Sequence, residues 1–140
     1  MYLIEEDIIN AVKSLLTGRV NELLEELEYQ IPLIEFGYGI SPVIRLSTGE
    51  RSEKERIIKS DVYSVVLVFA VPEKGFHGNL EEWNCYAYAA AVDLALGEDA
   101  TMGGVVDRAV MTGKKYTPPK AAHCGGHWEL ELKLHILVEF

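Results

Sequence analysis

The segment from 128 to 140 alternates apolar and polar side chains with a period of two. One set of positions is apolar throughout: Trp128, Leu130, Leu132, Leu134, Ile136, Val138 and Phe140. The positions between them are polar, with Leu137 the one break. Because successive side chains of a strand point to opposite faces, the pattern predicts a long strand with one buried and one solvated face. Strands of this kind are typical of antiparallel sheets covered on one side.

Three other stretches complete a predicted sheet of about four strands. Asp61 to Val71 is β-branched and apolar on both sides, which predicts a central strand covered on both faces or covered by a partner subunit. Shorter strands are predicted at Pro42 to Leu46 and at Val105 to Thr112. Ser47 to Ser52 is interpreted as a turn or loop tip. The following residues, 53–59, either extend the next strand or form a protruding hairpin arm.

Helical periodicity occurs in two places. Ile4 to Gln30 carries an apolar stripe that Gly18 interrupts, leaving open one kinked helix or two. A second helix, about 80–96, begins after Asn79 as N-cap and ends at Gly97 as a C-cap glycine. Its predicted sheet-facing residues are Leu80, Trp83, Ala87, Ala90, Ala91 and Leu94.

These elements predict a single α+β domain over residues 1–140. It comprises a helical N-terminal segment at 1–30 and a sheet-plus-helix core at 40–140, in which a mostly antiparallel sheet carries both helices. The intervening residues 31–41 and the stretch from Lys114 to Gly126 are rich in glycine and proline and are interpreted as loops.

Charge and composition narrow the classes of partner. The formal net charge is −9, which disfavours broad binding to nucleic acid and docking on an anionic membrane. The acidic start of the chain is unlike a secretory signal, and no apolar run is long enough to span a bilayer. We therefore expect a cytosolic protein whose two cysteines, Cys85 and Cys124, stay reduced.

The chemistry-bearing residues give only a weak signal. His123, Cys124 and His127 lie close together, but a closed zinc site needs four ligands and the chain has no Cys-x-x-Cys pair. No phosphate-binding glycine motif or nucleophile elbow is present. The sequence predicts no enzyme, no bound metal and no cofactor. The residues expected at an interface are the following: Trp83, Tyr86, Lys114, Lys115 and His135.

Several stretches together resemble the tail-terminator or tail-completion proteins of long-tailed phages. The resemblance rests on "PVIRLSTGE", "KSDVYSVVLVFAV", "NLEEWNCYAYAAAVDLALGED", "TMGGVVDRAVMTG" and "HWELELKLHILVEF". It covers residues 40–140 and is one of element order: a helix, a glycine-marked bend, a strand, a loop and a final alternating strand.

The resemblance implies a structural subunit of a phage or prophage tail. Such subunits form a ring, typically a hexamer, that caps the tail tube and joins it to the head. The implied partners are further copies of the chain, the tail tube protein and head–tail connector proteins, with DNA passing through a channel without specific binding. The implied location is the host cytoplasm during assembly and then the virion tail. Two alternatives remain: a small enzyme or metal-binding protein using Cys124 with His123 or His127, and a protein-binding module.

Overall fold

The computed structural model describes residues 3–27, 31–72, 80–119 and 126–140. Its helical elements are α1 (Ile4–Leu15), a π-helical turn (Leu16–Val20), α2 (Asn21–Glu25) and α3 (Leu80–Glu98). Its strands are β1 (Ile34–Glu35), β2 (Tyr38–Gly39), β3 (Val43–Lys54), β4 (Ile57–Pro72), β5 (Arg108–Thr117) and β6 (His127–Glu139). The predicted N-cap Asn79 lies outside the described residues.

The main sheet has four antiparallel strands in the order β3-β4-β6-β5. The predicted α+β fold, with its helix near 80–96, is therefore confirmed, and β4 is central as its two-sided apolar pattern predicts. The two central strands pair over the whole length from Ser60 opposite Glu139 to Pro72 opposite His127. β3 and β5 form the two edges of the sheet.

The inner face of the main sheet forms one side of the hydrophobic core. Alternate residues of β6 from Leu130 to Val138 are buried and pair with buried residues of β4, such as Leu132 with Leu67. Phe140, predicted on the same face, follows the end of β6 and is 66% exposed. Helical residues including Ile8, Val12 and Leu24 belong to the same core cluster.

The predicted orientation of α3 is wrong for Trp83, Ala90 and Leu94, which are exposed, whereas Ala87 and Ala91 are buried as predicted. The other buried side chains belong to a different face of the helix: Cys85, Tyr88, Ala89, Val92, Ala95 and Leu96. Tyr88 stacks on Phe69 of β4, with ring centroids 5.4 Å apart. Apolar residues surround this helix on all sides, so its periodicity does not determine which side the sheet covers.

The first hairpin is longer than predicted. Ser47 to Ser52 is part of β3 rather than a turn, and the chain reverses at Glu55 and Arg56, with φ of 54° and 67°. Two successive positive φ values are typical of a type I′ hairpin turn, for which Asn-Gly is the usual signal. The sequence pattern predicts a shorter β3 because the second half of this strand is polar and its turn is Glu-Arg rather than Asn-Gly. Both alternatives for residues 53–59 hold, because 57–59 extend β4 and the whole segment lies at the end of the β3–β4 hairpin.

Two other boundaries also differ from the prediction. Lys114 to Thr117 continue β5 rather than starting a loop, and α3 runs past Gly97 to Glu98. Gly97 does not have a positive φ, while Met102, Gly103 and Gly104 do. The Asp99 carboxylate accepts hydrogen bonds from the backbone N–H groups of Thr101 and Gly103, at 3.0 and 2.9 Å, and so organises this turn.

The N-terminal helical segment stays continuous through Gly18. A π-helical turn accommodates the glycine, so the segment is neither broken nor split into two helices. Asn21, at the start of α2, holds the following connection, because its side chain accepts from the Ile34 N–H and donates to the Ile34 carbonyl, both at 2.8 Å. This connection, predicted as a loop, contains the short β1–β2 ladder.

Candidate functional site

Of the three residues in the Cys–His alternative, only His127 lies among the described residues. His123 and Cys124 lie outside them, and His127 is exposed at the first position of β6. Across residues 3–27, 31–72, 80–119 and 126–140, no group of three His, Cys, Asp or Glu side chains could hold a metal ion. Cys85 is fully buried, and burial raises the pKa of its thiol to about 11. That thiol is protonated at neutral pH and is a poor nucleophile.

The predicted interface residues fall on different surfaces. Trp83 and Tyr86 lie on the solvent side of α3 and are 39% and 45% exposed. Lys115 and His135 lie on the outer face of the sheet, where they pair with Glu131 and Val110. Lys114 is an exposed residue of edge strand β5, opposite Leu132. The five residues therefore do not make one site, and each surface needs its own description.

A groove runs between α2 and α3. Its volume is about 480 Å³, and its walls are apolar apart from Glu26: Leu23, Leu24, Leu27, Trp83, Tyr86, Ala87, Ala90, Ala91 and Leu94. Alanines form part of the α3 wall, which keeps the groove open. Tyr86 is held at one end by an edge-on contact with Tyr116, with centroids 5.1 Å apart, and by a hydrogen bond from its hydroxyl to Glu82. A fixed aromatic side chain beside an apolar groove is typical of a protein-binding surface.

The outer face of the sheet, here called the open face, has no cover among the described residues. β4 places Val62, Val66 and Val68 on it, each partly exposed, and Leu137 lies opposite Val62. Charged residues flank these side chains in balanced numbers: Arg45, Arg108, Lys115 and Lys133, against Glu50, Glu129, Glu131 and Glu139. An apolar centre with a mixed charged rim is the arrangement found in interfaces between proteins.

The end of the β3–β4 hairpin extends beyond the rest of the sheet and is called the arm here, residues 51–60. β6 pairs with β4 only as far as Ser60, so the tip has two strands and no third beside it. Two β-branched side chains are exposed there, Ile57 at 57% and Ile58 at 37%. Neither contributes to the core cluster. The fold itself does not account for two isoleucines at an exposed hairpin tip.

A charged network fixes the base of the arm. Arg51 donates two hydrogen bonds to the Asp61 carboxylate, Nε to Oδ1 at 2.8 Å and a terminal nitrogen to Oδ2 at 3.0 Å. The Tyr63 hydroxyl donates to the same Oδ2 at 3.2 Å. Asp61 is only 5% exposed, and the bonds from Arg51 hold the pKa of its carboxyl below the ordinary value. Bidentate pairing of this kind also restricts the direction of the arm.

The Tyr63 ring also supports the hairpin at a glycine. Gly49 pairs with Tyr63 across the two strands, and a Cβ placed on Gly49 would lie 3.3 Å from two ring carbons. The ring therefore covers the backbone where β3 has no side chain. Burial, followed by the charges of Asp61 and Glu5, raises the pKa of Tyr63 to about 12, so the hydroxyl remains a donor to Asp61 at neutral pH.

A larger cleft, about 920 Å³, lies between α1 and the end of α3. Its central cation, Arg19, projects from the π-helical turn and makes two hydrogen bonds to Glu98, at 2.7 and 2.9 Å. The carboxylate of Asp99, on the same wall, already accepts hydrogen bonds from Thr101 and Gly103. The Arg19–Glu98 pair therefore bridges the π-helical turn and the end of α3 across this cleft.

Negative charge is concentrated on the helices. α3 carries Glu81, Glu82, Asp93 and Glu98 and no lysine or arginine. α1 and α2 add five more acidic residues: Glu5, Glu6, Asp7, Glu22 and Glu25. The basic residues of the same segment are Lys13 in α1 and Arg19 in the π-helical turn. The open face is balanced, and the arm tip carries Lys54, Arg56 and Lys59 with Glu53 and Glu55. The acidity of the chain is thus a property of the helical side.

The sequence did not predict the groove or the network at the base of the arm, whereas the arm itself was one of the two alternatives for residues 53–59. The all-round apolar character of α3 was the available signal for the groove, because a helix of this kind needs a second partner. Asp61 resembled an ordinary polar residue at the start of a strand. Its role depends on Arg51, ten positions away, which only the register of the hairpin brings alongside it.

No protein-family model matches the chain, and no curated protein matches it significantly. Among the described residues, no helix has the length and apolar character required to cross a membrane.

Proposed function

We propose that this protein is a structural subunit of a phage or prophage tail, a tail terminator or tail-completion protein. In this proposal its copies form a ring, typically a hexamer, that caps the tail tube and joins it to the head. The sequence resemblance supplies the class of protein. The physical support comes from the surfaces that the fold leaves uncovered.

The observation that carries the proposal is the open face of the sheet. Val62, Val66 and Val68 lie on the longest central strand, and no described element packs over them. Burial of apolar surface is favourable by roughly 25 cal/mol per Å², so these apolar side chains, interrupted by Ser64, favour a partner. A subunit that works by assembly requires a surface of this kind.

The edges of the sheet favour assembly through faces rather than through strand pairing. β3 has irregular register between Leu46 and Thr48, and β5 between Met111 and Gly113. Both edges also carry charged side chains, such as Arg45 and Lys114. Bulges and charges on edge strands oppose edge-to-edge pairing, which would extend sheets without limit. Contacts between unlike surfaces can close into a ring instead.

The charge distribution suits a channel for DNA. In the proposed ring, the acidic helical side faces the passing duplex and repels its phosphates, so that DNA moves without adhering. Apart from Lys54, Arg56 and Lys59 at the arm tip, the described surfaces do not gather the lysines and arginines that nonspecific DNA binding requires.

The test is assembly with and without a tail tube. Sedimentation velocity of the purified chain is expected to show a ring of fixed stoichiometry, formed either alone or when a phage tail tube protein is added. Electron microscopy is expected to show tubes that stop at a limited length and carry the chain at one end. A chain that neither forms rings nor changes tube length contradicts the proposal.

The same experiment separates the alternatives. A protein-binding module would remain monomeric and leave tube length unchanged. A metal-dependent enzyme would copurify with zinc, which metal analysis of the intact protein detects, and its activity would depend on Cys124 rather than on assembly.

A further inference from the structure

We propose that the arm tip of one copy, residues 54–59, docks in the groove between α2 and α3 of the next copy. This inference rests on the proposed function only in that both require self-association. It goes further by naming the two contacting surfaces and the direction of the contact.

The arm has the properties of an inserting element. Its two strands are hydrogen-bonded to each other up to Lys54 opposite Ile57, so its backbone is ordered without a partner. The Arg51–Asp61 pair anchors it at the base. An ordered arm loses little conformational entropy on binding, and its exposed isoleucines then contribute apolar contact. Ile57, at 57% exposure, is the main anchor.

The groove has the properties of the matching receptor. It is an apolar concavity of about 480 Å³ with aromatic side chains at one end and Leu94, 54% exposed, at the α3 wall. Small alanine side chains at its floor admit a bulky side chain. The neighbouring helical surface is acidic, with Glu26 in the wall and Asp93 beside Leu94.

Charge complementarity selects a second copy as the occupant. Lys54, Arg56 and Lys59 bracket the two isoleucines, and none of the three makes an ion pair among the described residues. Glu55 offsets one of these charges, so the tip keeps a net positive charge. The groove wall offers Glu26, whose carboxylate lies 3.8 Å from Arg19 and is 66% exposed, and α3 has no basic residue to oppose the cations of the tip. A tip of net positive charge thus meets an apolar groove on an acidic helical surface, which favours this pairing and its orientation.

The contact is heterologous, because the arm and the groove are different surfaces of the chain. In this structure Ile57 and Ile58 are exposed, so the arm does not occupy its own groove. Each copy therefore offers one arm and one groove. Repetition of such a contact produces a closed ring or an open filament, and the rotation per copy determines which.

Cysteine cross-linking between two differently marked copies tests the contact. In a Cys124→Ser background, one preparation carries Glu55→Cys, in the hairpin turn, which keeps both isoleucines and the three cations of the tip. The other preparation carries Ala90→Cys, in the groove wall. Since each chain has one accessible cysteine, a disulfide between the two is intermolecular by construction. The matched control replaces Ala90→Cys with Glu6→Cys, an exposed position on α1.

The arm–groove pair is expected to cross-link at least on the order of tenfold faster than the control pair, because contact raises the effective concentration of the thiols to the millimolar range. Adding Arg56→Glu and Lys59→Glu to the arm is expected to slow it. Equal rates for the two pairs, or no adduct at any concentration, overturn the inference. Circular dichroism of each variant confirms that the fold is retained.

The outcomes separate this inference from the proposed function. Rings on tail tubes without arm–groove adducts would refute the contact and leave the function intact. Adducts in a chain that has no effect on tail tubes would support the contact and refute the function.

Discussion

The two faces of the main sheet carry similar apolar side chains, but those of one face are buried and those of the other remain partly exposed. On the inner face, Leu67, Leu132 and Leu134 are completely buried beneath the helices. On the open face, Val66 and Leu137, from the same two strands, remain partly exposed. The difference lies in what covers them, not in residue type. Apolar residues on the inner face stabilise the fold of the chain, and those on the open face are available to stabilise an assembly.

The largest effect on stability is expected from the inner face. Leu132→Ala removes a fully buried side chain at the centre of β6 and is expected to cost about 2–5 kcal/mol in the free energy of unfolding, through lost burial and a cavity. Leu137→Ala, on the same strand but on the open face, is the matched control and is expected to cost about 1 kcal/mol or less. Urea unfolding of the monomeric protein measures both. Equal losses would mean that the faces do not differ.

The second largest effect is expected at the base of the arm. Arg51→Ala leaves the buried Asp61 carboxylate without its main partner. The free energy of unfolding at neutral pH should therefore decrease measurably, although by less than in Leu132→Ala. Arg45→Ala, on the open face of the same strand, is the control and should have little effect.

The pH dependence of the Arg51 variant sharpens this result. The pKa of Asp61 is lowered in the folded protein from an ordinary value of 3.8. As the pH falls, Asp61 is therefore protonated at a higher pH in the unfolded chain than in the folded protein. The stabilisation from the Arg51–Asp61 pair is present above about pH 3.8 and is lost as the pH falls below that value. The gap between wild type and Arg51→Ala should shrink when urea unfolding is repeated below about pH 3.8. A gap that does not change with pH would contradict the assignment to Asp61.

A smaller effect on stability, but a large one on assembly, is expected from the open face. Val66→Glu places a carboxylate between Arg45 and Lys133, its neighbours in register, so the fold is expected to change by only about 0.5 kcal/mol. The same change puts a charge in the proposed interface and should weaken self-association tenfold or more, as a desolvated charge costs well over about 1.4 kcal/mol. Val66→Thr is the milder control. Sedimentation velocity measures association, and unchanged association would remove the open face from the assembly.

The smallest expected effect concerns DNA. The acidic helices and the balanced open face predict no measurable binding of duplex DNA by the wild-type protein, even at about 50 mM salt, where electrostatic binding is strong. Fluorescence anisotropy of a labelled duplex is the measurement. Binding that weakens steeply with added salt would show that a basic surface faces the DNA.

The strands of the core could be predicted because period-two alternation is a local property. From Leu130 to Val138 every second residue is apolar, and the pattern alone identified the strand, its inner face and an antiparallel sheet. The two-sided apolar run identified β4 as central. Composition gave the excess negative charge of the chain but not the surface that carries it.

Tertiary structure decided the rest, because the deciding contacts join residues that are distant in sequence or lack a local pattern. The polar residues 47–54 became a strand only through pairing with β4, and that register placed Arg51 against Asp61. α3 is apolar on every side, so packing rather than periodicity chose which side meets the sheet and which forms the groove. Alternation determines which residues share a face of a strand, but only the packing of the whole chain determines which faces are covered.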